Sequence, residues 1–268
     1  MTLIPKLPAY AGRTIEQFLR AHVAGASAEG VVIGLSGGID SALTARLARD
    51  ALGPSKVHGV ILPDRGFSSD LCRETEAFAI GLGIDVLTIP IDPVEEAYRH
   101  SLPSEMDRVA WGNIKARIRM TMDYALARGL RSLVVGTGNK SELLLGYFSK
   151  YGDGGADLLP LGDLYKTQLR TLAREREIPE PILERAPTAG LWEGQTDEGE
   201  LGAPYGTIDE VLAGLEQLYT EEEIVARTGL DANIVHALVT RVEVNRHKRR
   251  LPPIPKLGLR TVGIDWRD

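Results

Sequence analysis

Cysteine is almost absent from this chain of 268 residues, because Cys72 is the only one. A single cysteine excludes an internal disulfide and a cysteine-based zinc cluster, and so it indicates a reducing compartment. The residues around Cys72 contain nothing that would activate a thiol. We therefore expect an inert side chain and no covalent chemistry at this cysteine.

Long apolar runs and an excess of basic residues are missing as well. No segment approaches the ~20 apolar residues of a membrane-spanning helix, and the first residues lack the apolar core of a signal peptide. The 31 Lys and Arg residues against 37 Asp and Glu residues leave a formal charge of -6. That balance argues against a general nucleic-acid binder. We expect a cytoplasmic protein with neither membrane nor nucleic-acid partners.

A glycine-rich loop is the most distinctive stretch: Gly34-Leu35-Ser36-Gly37-Gly38-Ile39-Asp40-Ser41. An apolar run precedes it and a helical pattern follows, so backbone N–H groups are free at a helix start, where an anion can bind. Glycine lets the backbone approach a ligand, and the two serines add hydroxyl donors. A carboxylate beside a phosphate makes sense if a divalent cation lies between them. The loop predicts a pyrophosphate site with Asp40 as a metal ligand.

The order of apolar runs and helical patterns predicts the fold class. Strand candidates are 31–35, 57–62, 85–89 and 132–136, with helical periodicity between them. The alternation predicts an α/β fold in which a parallel sheet is covered by helices on both faces. Beyond residue 165 the patterns are helical. No linker or internal repeat divides the chain, so we expect a single domain over residues 1–268.

Polar residues follow the predicted strands. Ser36, Asp64 and Thr137 each come just after a strand candidate. Ligands of such sheets bind beyond the carboxyl ends of the strands, so these positions predict one site built from several loops. The segment 136–166 is dense in residues suited to a site. The acidic segment 193–202 is either a lid over that site or a solvated loop.

Two other interpretations of the glycine-rich loop were weighed. The P-loop motif does not fit, because the Lys-Ser/Thr pair after the final glycine is missing. The G-x-S-x-G elbow of serine hydrolases does fit, through Gly34, Ser36 and Gly38. That elbow normally follows several strands, whereas one strand candidate precedes it here. No HGGG-type oxyanion segment is visible either. A hydrolase is therefore the weaker alternative.

The string Ser-Gly-Gly-Ile-Asp-Ser resembles the pyrophosphate loop of the ATP pyrophosphatases, which split ATP into AMP and pyrophosphate to activate an oxygen. Within that group the segments 113–119, 136–142, 146–157, 160–166 and 186–189 resemble the NAD synthetase family. The match is ordered and runs from about Gly34 to Lys248. It implies a Rossmann-like sheet of the adenine nucleotide alpha hydrolase type with a helical C-terminal part.

The resemblance also implies roles for individual residues. The ATP-binding positions would be Gly34, Leu35, Ser36, Gly37, Gly38, Ile39, Asp40, Ser41, Thr137, Lys166 and Thr188. The ligands of Mg²⁺ would be Asp40 and Glu142. Contacts to the dinucleotide substrate would come from Arg117, Lys150, Asp157, His247 and Lys248. No catalytic nucleophile is implied.

The implied reaction is the last step of NAD biosynthesis. ATP adenylates the carboxylate of nicotinic acid adenine dinucleotide (deamido-NAD), and ammonia attacks the acyl-adenylate, giving NAD, AMP and pyrophosphate. Adenylation is needed because a carboxylate oxygen is a poor leaving group. Negative charge gathers on three phosphates during the reaction, and Mg²⁺ and lysines are suited to stabilise it. The acyl-adenylate is reactive, so the site has to exclude water.

The sequence differs from many bacterial family members at Gly190 and at residues 138–141, so the roles of these residues stay open. Glutamine-using members carry a nitrilase-like domain ahead of the synthetase part, whereas residues 1–33 precede the loop here. We therefore expect use of free ammonia, and a homodimer as in other members. The alternatives are another ATP pyrophosphatase, such as a tRNA-modifying ligase, and a non-catalytic module that binds adenine nucleotides.

Overall fold

A four-stranded parallel sheet forms the centre of the computed structural model, which describes residues 2–103, 105–192, 194–262 and 265. The strands are β1 (Gly30–Gly34), β2 (Val57–Ile61), β3 (Asp85–Thr88) and β4 (Ser132–Val135). Their spatial order is β3-β2-β1-β4, and all three pairings are parallel. The order reverses between β1 and β4, which is where such sheets open a crevice for ligands.

Helices cover both faces of this sheet. The helices up to β4 are α1 (Ala11–Gly25), α2 (Ile39–Leu52), α3 (Ser69–Gly81), α4 (Asp92–Ser101) and α5 (Arg108–Gly129). Val31 and Ile33 of β1 pack in one buried cluster with α1 and α2, whereas Val32 packs in another with α5. Successive side chains of a strand point to opposite faces, so a fully apolar strand needs both layers.

The remaining described helices form the C-terminal part. They are α6 (Lys140–Leu145), α7 (Lys166–Glu175), α8 (Glu180–Leu183), α9 (Asp197–Leu201), α10 (Tyr205–Glu216), α11 (Glu221–Thr228) and α12 (Ala232–Val244). Most pack in a cluster of their own, in which Leu145 of α6 and Tyr165, next to α7, are fully buried. This cluster therefore supports the two helices that follow β4.

The fold class predicted from the sequence is confirmed. All four strand candidates form strands, with ends that shift by at most one residue. The helical periodicity that precedes the fourth strand candidate forms α5, and the Asp107 carboxylate caps this helix by accepting from the Ala110 N–H at 2.7 Å. Three short helices, α6, α8 and α9, were not predicted, because four to six residues give too little periodicity to recognise.

None of the helices within the described ranges combines the length and the apolar character that crossing a bilayer requires.

Candidate active site

The glycine-rich loop joins β1 to α2 beside the point where the strand order reverses. Gly37 has a φ of +76°, and a Cβ on it would lie 2.5 Å from Leu71 Cδ1 and 2.7 Å from Thr75 Oγ1. Only glycine fits, because α3 packs directly against this turn. α2 begins at Ile39, and the first N–H groups of a helix have no partner within it. These groups are available to an anion at this edge of the sheet.

The two serine hydroxyls of the loop bond to the loop itself. Ser41 Oγ accepts from the Ser36 N–H at 3.2 Å and donates to the Gly38 carbonyl at 3.0 Å. Ser36 Oγ accepts from the Gly38 N–H at 3.3 Å. These bonds hold the turn in shape. The predicted contact of both hydroxyls with phosphate stays a prediction.

Asp40, Glu142 and Lys166 meet next to the loop. The Lys166 ammonium donates to Asp40 Oδ2 at 2.6 Å and to Glu142 Oε1 at 3.3 Å. The Lys166 side chain is 2% exposed, and each carboxylate side chain is 18% exposed. The structure therefore places the two predicted metal ligands and a predicted ATP contact around one position, although they come from three elements.

Burial shifts the ionisation of this cluster. Desolvation raises the pKa of Glu142 to about 8; the Lys166 charge opposes that rise, and the charges of Asp40 and Asp197 add to it. Desolvation lowers the pKa of Lys166, but the two carboxylates outweigh it, so its pKa lies above the usual range. Lys166 is thus a permanent cation, and Glu142 can take up a proton near neutral pH.

Asn139 explains how Glu142 reaches this position. It is fully buried and caps α6: its side chain accepts from the Glu142 N–H at 3.1 Å, and Glu142 Oε2 accepts from the Asn139 N–H at 3.2 Å. The Asn139 amide also donates to Asp40 Oδ1 at 2.8 Å. One residue therefore orients both carboxylates. The role of the loop 138–141 was open in the sequence, although Asn139 followed three residues later by Glu is a recognisable capping signal.

A buried carboxylate fixes α7 relative to α6. Asp209 of α10 is fully buried, and it accepts from Ser141 Oγ at 2.5 Å and from the Thr167 N–H at 2.8 Å. Ser141 Oγ in turn accepts from the Lys166 N–H at 3.0 Å. Because these bonds hold the start of α7 against α6, the Lys166 side chain emerges beside Glu142.

Asp197 is a further acidic residue at the site, and the sequence analysis did not single it out. It is 4% exposed, Oδ2 accepts from the Tyr205 hydroxyl at 3.1 Å, and Oδ1 has no hydrogen-bond partner among the described residues. Its charge is felt at both Glu142 and Lys166. The pattern of Thr196 followed by acidic residues is a helix-start signal that could have located it.

The acidic segment 193–202 is therefore not simply a solvated loop. Glu193 lies outside the described residues. From Gly194 onward the segment contains α9, and Gln195, Asp197 and Leu201 are buried. The Asp197 N–H donates to the Pro187 carbonyl at 3.0 Å, which ties the segment to the stretch that carries Thr188. Its action as a lid stays a prediction.

The donor set at this site suits Mg²⁺. Asp40 and Glu142 supply hard carboxylate oxygens within reach of the same ammonium, and the buried Asp197 oxygen adds negative charge nearby. Among the residues that the structure describes, no three His, Cys, Asp or Glu side chains converge on one point as a complete metal site. The assignment of Asp40 and Glu142 as Mg²⁺ ligands stays a prediction.

Four of the residues predicted to bind the dinucleotide lie together. Arg117 on α5 donates to the Lys150 carbonyl at 3.2 Å, and the Lys150 ammonium donates to the His247 carbonyl at 3.0 Å. The Lys248 ammonium donates to the Gly146 and Phe148 carbonyls at 2.7 and 2.9 Å. The late His-Lys pair therefore holds the segment after α6 in place by hydrogen bonds. Its contact with substrate stays a prediction.

Asp157 occupies a different place. Its carboxylate accepts from the Val134 N–H at 2.8 Å, on the outer edge of β4, and from the Tyr124 hydroxyl at 3.1 Å. It lines an open cleft with His22 and Leu133. The structure thus pairs Asp157 with the sheet edge rather than with the group formed by Arg117 and Lys150.

The two predicted threonines differ in exposure. Thr137 follows the end of β4 and is half-buried beside the site. Thr188 is exposed, and its hydroxyl accepts from the Gly190 N–H at 3.1 Å. Gly190 has a φ of +62°, which suits glycine and accounts for that residue at a position the sequence analysis left open.

Asp64, expected at the site from its place after β2, is paired with α5. Lys115 Nζ lies 2.8 Å and Arg119 Nη2 3.4 Å from Asp64 Oδ2. Burial opposes ionisation of Asp64, but the two cations outweigh it and hold its pKa below the usual value. Lys115 also donates to the Leu191 carbonyl at 3.3 Å, so this pair links β2, α5 and the stretch after Thr188.

Comparisons with known proteins agree with this architecture. The NH(3)-dependent NAD(+) synthetase of Methanosarcina mazei is 46% identical over 246 residues, which cover 91% of this chain and 96% of that protein. The solved NMN synthetase of Francisella tularensis superposes with a TM-score of 0.82 at 36% identity, covering 92% of this chain and 98% of that one. The NH3-dependent NAD synthetase of Campylobacter jejuni has a TM-score of 0.78 at 31% identity, covering 92% and 97%.

The family model described as NAD synthase matches residues 12–252, a range that holds the glycine-rich loop, Glu142, Lys166 and the late His-Lys pair. Since that match spans most of the sequence and relatives above 40% identity cover nine-tenths of it, this chain belongs to the NAD synthase family.

Proposed function

We propose that this chain catalyses the ATP-dependent amidation of deamido-NAD with ammonia, giving NAD, AMP and pyrophosphate. The observation that carries the proposal is the meeting of Asp40, Glu142 and Lys166 beside the glycine-rich loop. A buried cation and two hard carboxylates at a phosphate-binding turn are what in-line attack on the α-phosphorus of ATP requires. A non-catalytic nucleotide-binding module would need neither carboxylate.

Different residues of the chain bind the phosphates, stabilise their charge and hold the metal. The loop amides at the start of α2 hold the phosphates, and Lys166 offsets the charge that gathers on them during adenylation. Asp40 and Glu142 would hold Mg²⁺. When bound, that ion neutralises phosphate charge and orients the departing pyrophosphate. Asn139 keeps both carboxylates in place.

No side chain is asked to act as a nucleophile. The substrate carboxylate attacks the α-phosphorus and displaces pyrophosphate. The lone pair of ammonia then attacks the acyl carbon, AMP leaves with the bonding electrons, and the nitrogen loses one proton to AMP or solvent. The remaining task is to exclude water, which would hydrolyse the adenylate. The Asp197 N–H donates to the Pro187 carbonyl and joins the two described parts of this stretch, 186–192 and 194–202. The Leu191 carbonyl accepts from Lys115 of α5, which attaches the stretch to the sheet domain and supports a shielding role.

A mononucleotide substrate is the second candidate, because the Francisella tularensis neighbour is an NMN synthetase and is more similar to this chain than the Campylobacter jejuni NAD synthetase. The chemistry would be the same amidation on nicotinic acid mononucleotide. The dinucleotide is favoured because eight curated relatives at 41–46% identity are named NH(3)-dependent NAD(+) synthetases.

One assay tests both candidates. The purified protein is incubated with ATP, Mg²⁺ and ammonium, and with either deamido-NAD or nicotinic acid mononucleotide, while AMP and the amide product are followed by chromatography. We expect NAD and AMP in equal amounts, with a higher kcat/KM for the dinucleotide. Preference for the mononucleotide would replace the first candidate by the second, and no amide from either substrate would contradict both.

Two further arms of the assay test the nitrogen source and the metal requirement. Glutamine in place of ammonium should give no product, and removal of Mg²⁺ by a chelator should stop turnover. We also propose a single domain that assembles as a homodimer, supported by the resemblance to homodimeric members. Light scattering at the protein concentration of the assay measures the molar mass, and the mass of a monomer would contradict the dimer.

A further inference from the structure

Arg185 connects the glycine-rich loop to α3 from outside the loop. Its guanidinium donates through Nη1 to the Gly37 carbonyl and through Nη2 to Glu74 Oε2, the latter at 2.6 Å. Arg185 lies after α8, 148 positions from Gly37, and three residues before Thr188. Arg185 lies outside the segments that resemble the NAD synthetase family, and its position in the sequence predicts no role for it.

The carbonyl that Arg185 holds belongs to the peptide unit between Gly37 and Gly38. The other end of that unit, the Gly38 N–H, donates to Ser36 Oγ. Glycine has little steric preference, so a peptide plane between two glycines can rotate at low cost. A rotated plane would turn the carbonyl oxygen, with its partial negative charge, towards an anion at the start of α2. A hydrogen bond from a charged donor is about twice as strong as a neutral one and can fix the orientation.

We propose that Arg185 is a positioning residue for ATP, which holds the Gly37 carbonyl away from the phosphates so that the loop amides are preorganised. The inference rests on the proposed function, because it requires triphosphate at this loop. Nη1 and Nη2 each donate to a protein oxygen. In this role Arg185 acts through the backbone of the loop.

The test measures binding of a non-hydrolysable ATP analogue with Mg²⁺ by calorimetry, in the wild type, R185A and R185K. Loss of a hydrogen bond from a charged group predicts a fall in affinity of about tenfold or more for R185A. R185K keeps the charge and one donor, so it should recover part of the loss. The matched control is R73A, because Arg73 lies on neighbouring α3, is 71% exposed and pairs with Asp70.

Two further measurements separate positioning from other roles. KM for deamido-NAD and the melting temperature of R185A should stay close to those of the wild type, while KM for ATP rises. The difference in affinity for the ATP analogue between the wild type and R185A should also persist at high salt, where interactions between exposed charges are screened.

The outcomes are distinct. A wild type that does not bind the analogue contradicts the proposed function itself. Binding by the wild type with equal affinity in R185A overturns the positioning role. A loss of affinity for the analogue that disappears at high salt also overturns it, because Arg185 would then act only as a distant positive charge. A loss of affinity that extends to deamido-NAD and comes with a lower melting temperature overturns it as well, because Arg185 would then support the structure in general.

Discussion

The ammonium nitrogen of Lys166 lies 2.6 Å from Oδ2 of Asp40, a residue 126 positions earlier in the chain. Glu142 shares the same ammonium at 3.3 Å. The contact joins the start of α2 to the start of α7 across the crevice between β1 and β4. It also means that the predicted metal ligands are held together by a protein cation, and the following predictions depend on this arrangement.

Asp40→Asn should lower the rate of amidation by about two to three orders of magnitude, comparable to the loss of one preorganised electrostatic group. Asparagine keeps the size of the side chain and can still accept from Asn139, so the fold should survive. The measurement is steady-state formation of NAD and AMP, with circular dichroism to check the fold. Asp163→Asn is the control, because that side chain is 98% exposed. Unchanged turnover in Asp40→Asn would remove the metal role.

Lys166→Met should destabilise the protein by about 3 kcal/mol, because it leaves two largely buried carboxylates without their cation. Urea unfolding measures the loss. Mg²⁺ should stabilise the variant more than the wild type, since both carboxylates are then free to bind it. The control is Lys140→Met: Lys140 pairs with the more exposed Asp163 and Glu216, and surface pairs contribute about 0–1 kcal/mol. If Mg²⁺ raised the free energy of unfolding equally in Lys166→Met and in the wild type, the metal and the Lys166 ammonium would not share one position.

Glu142 should make stability fall with rising pH in the metal-free protein. Its pKa rises from 4.5 to about 8 on folding, because burial and the neighbouring carboxylates outweigh Lys166. The folded state therefore binds more protons than the unfolded state between these values. The stability from this group is present below 4.5 and is lost as the pH rises through about 8.

The free energy of unfolding, measured by urea across this pH range, should thus decline less steeply in Glu142→Gln than in the wild type. Some decline should remain in the variant, because burial also raises the pKa values of Asp197 and Asp209. Parallel profiles for the two proteins would show that Glu142 titrates normally.

Gly37→Ala should weaken ATP binding and destabilise the protein by more than backbone strain alone. The positive φ costs about 1 kcal/mol or more for a residue with a Cβ, and the new methyl would meet Leu71 at 2.5 Å. Gly229→Ala is the matched control, since Gly229 has a φ of +73° with nothing within 4 Å of the added Cβ. Equal losses of stability in the two variants, with unchanged nucleotide affinity, would contradict the close packing of α3 on the loop.

The sequence located much of the site through local signals. The strand, glycine turn and helix around Asp40 were predicted from neighbouring residues, and the structure has them at the expected positions. Glu142 and Lys166 were assigned by resemblance, and they lie beside Asp40. Asn139 and Asp197 carried helix-start signals that were not used. Arg185 carried none, because its contact with Gly37 depends on how distant segments pack.

Hydrophobic periodicity and residue chemistry by themselves determined the parallel α/β fold, the glycine-rich turn before α2 and the residue types suited to ATP chemistry. These depend on interactions between residues close in sequence, which leave a visible pattern. Only the tertiary structure decided that Lys166 pairs with Asp40 and Glu142, that Asn139 orients both carboxylates, and that Asp157 lies at the sheet edge. The pairing of buried charges depends on which side chains packing brings together out of water, and spacing along the chain does not reveal it.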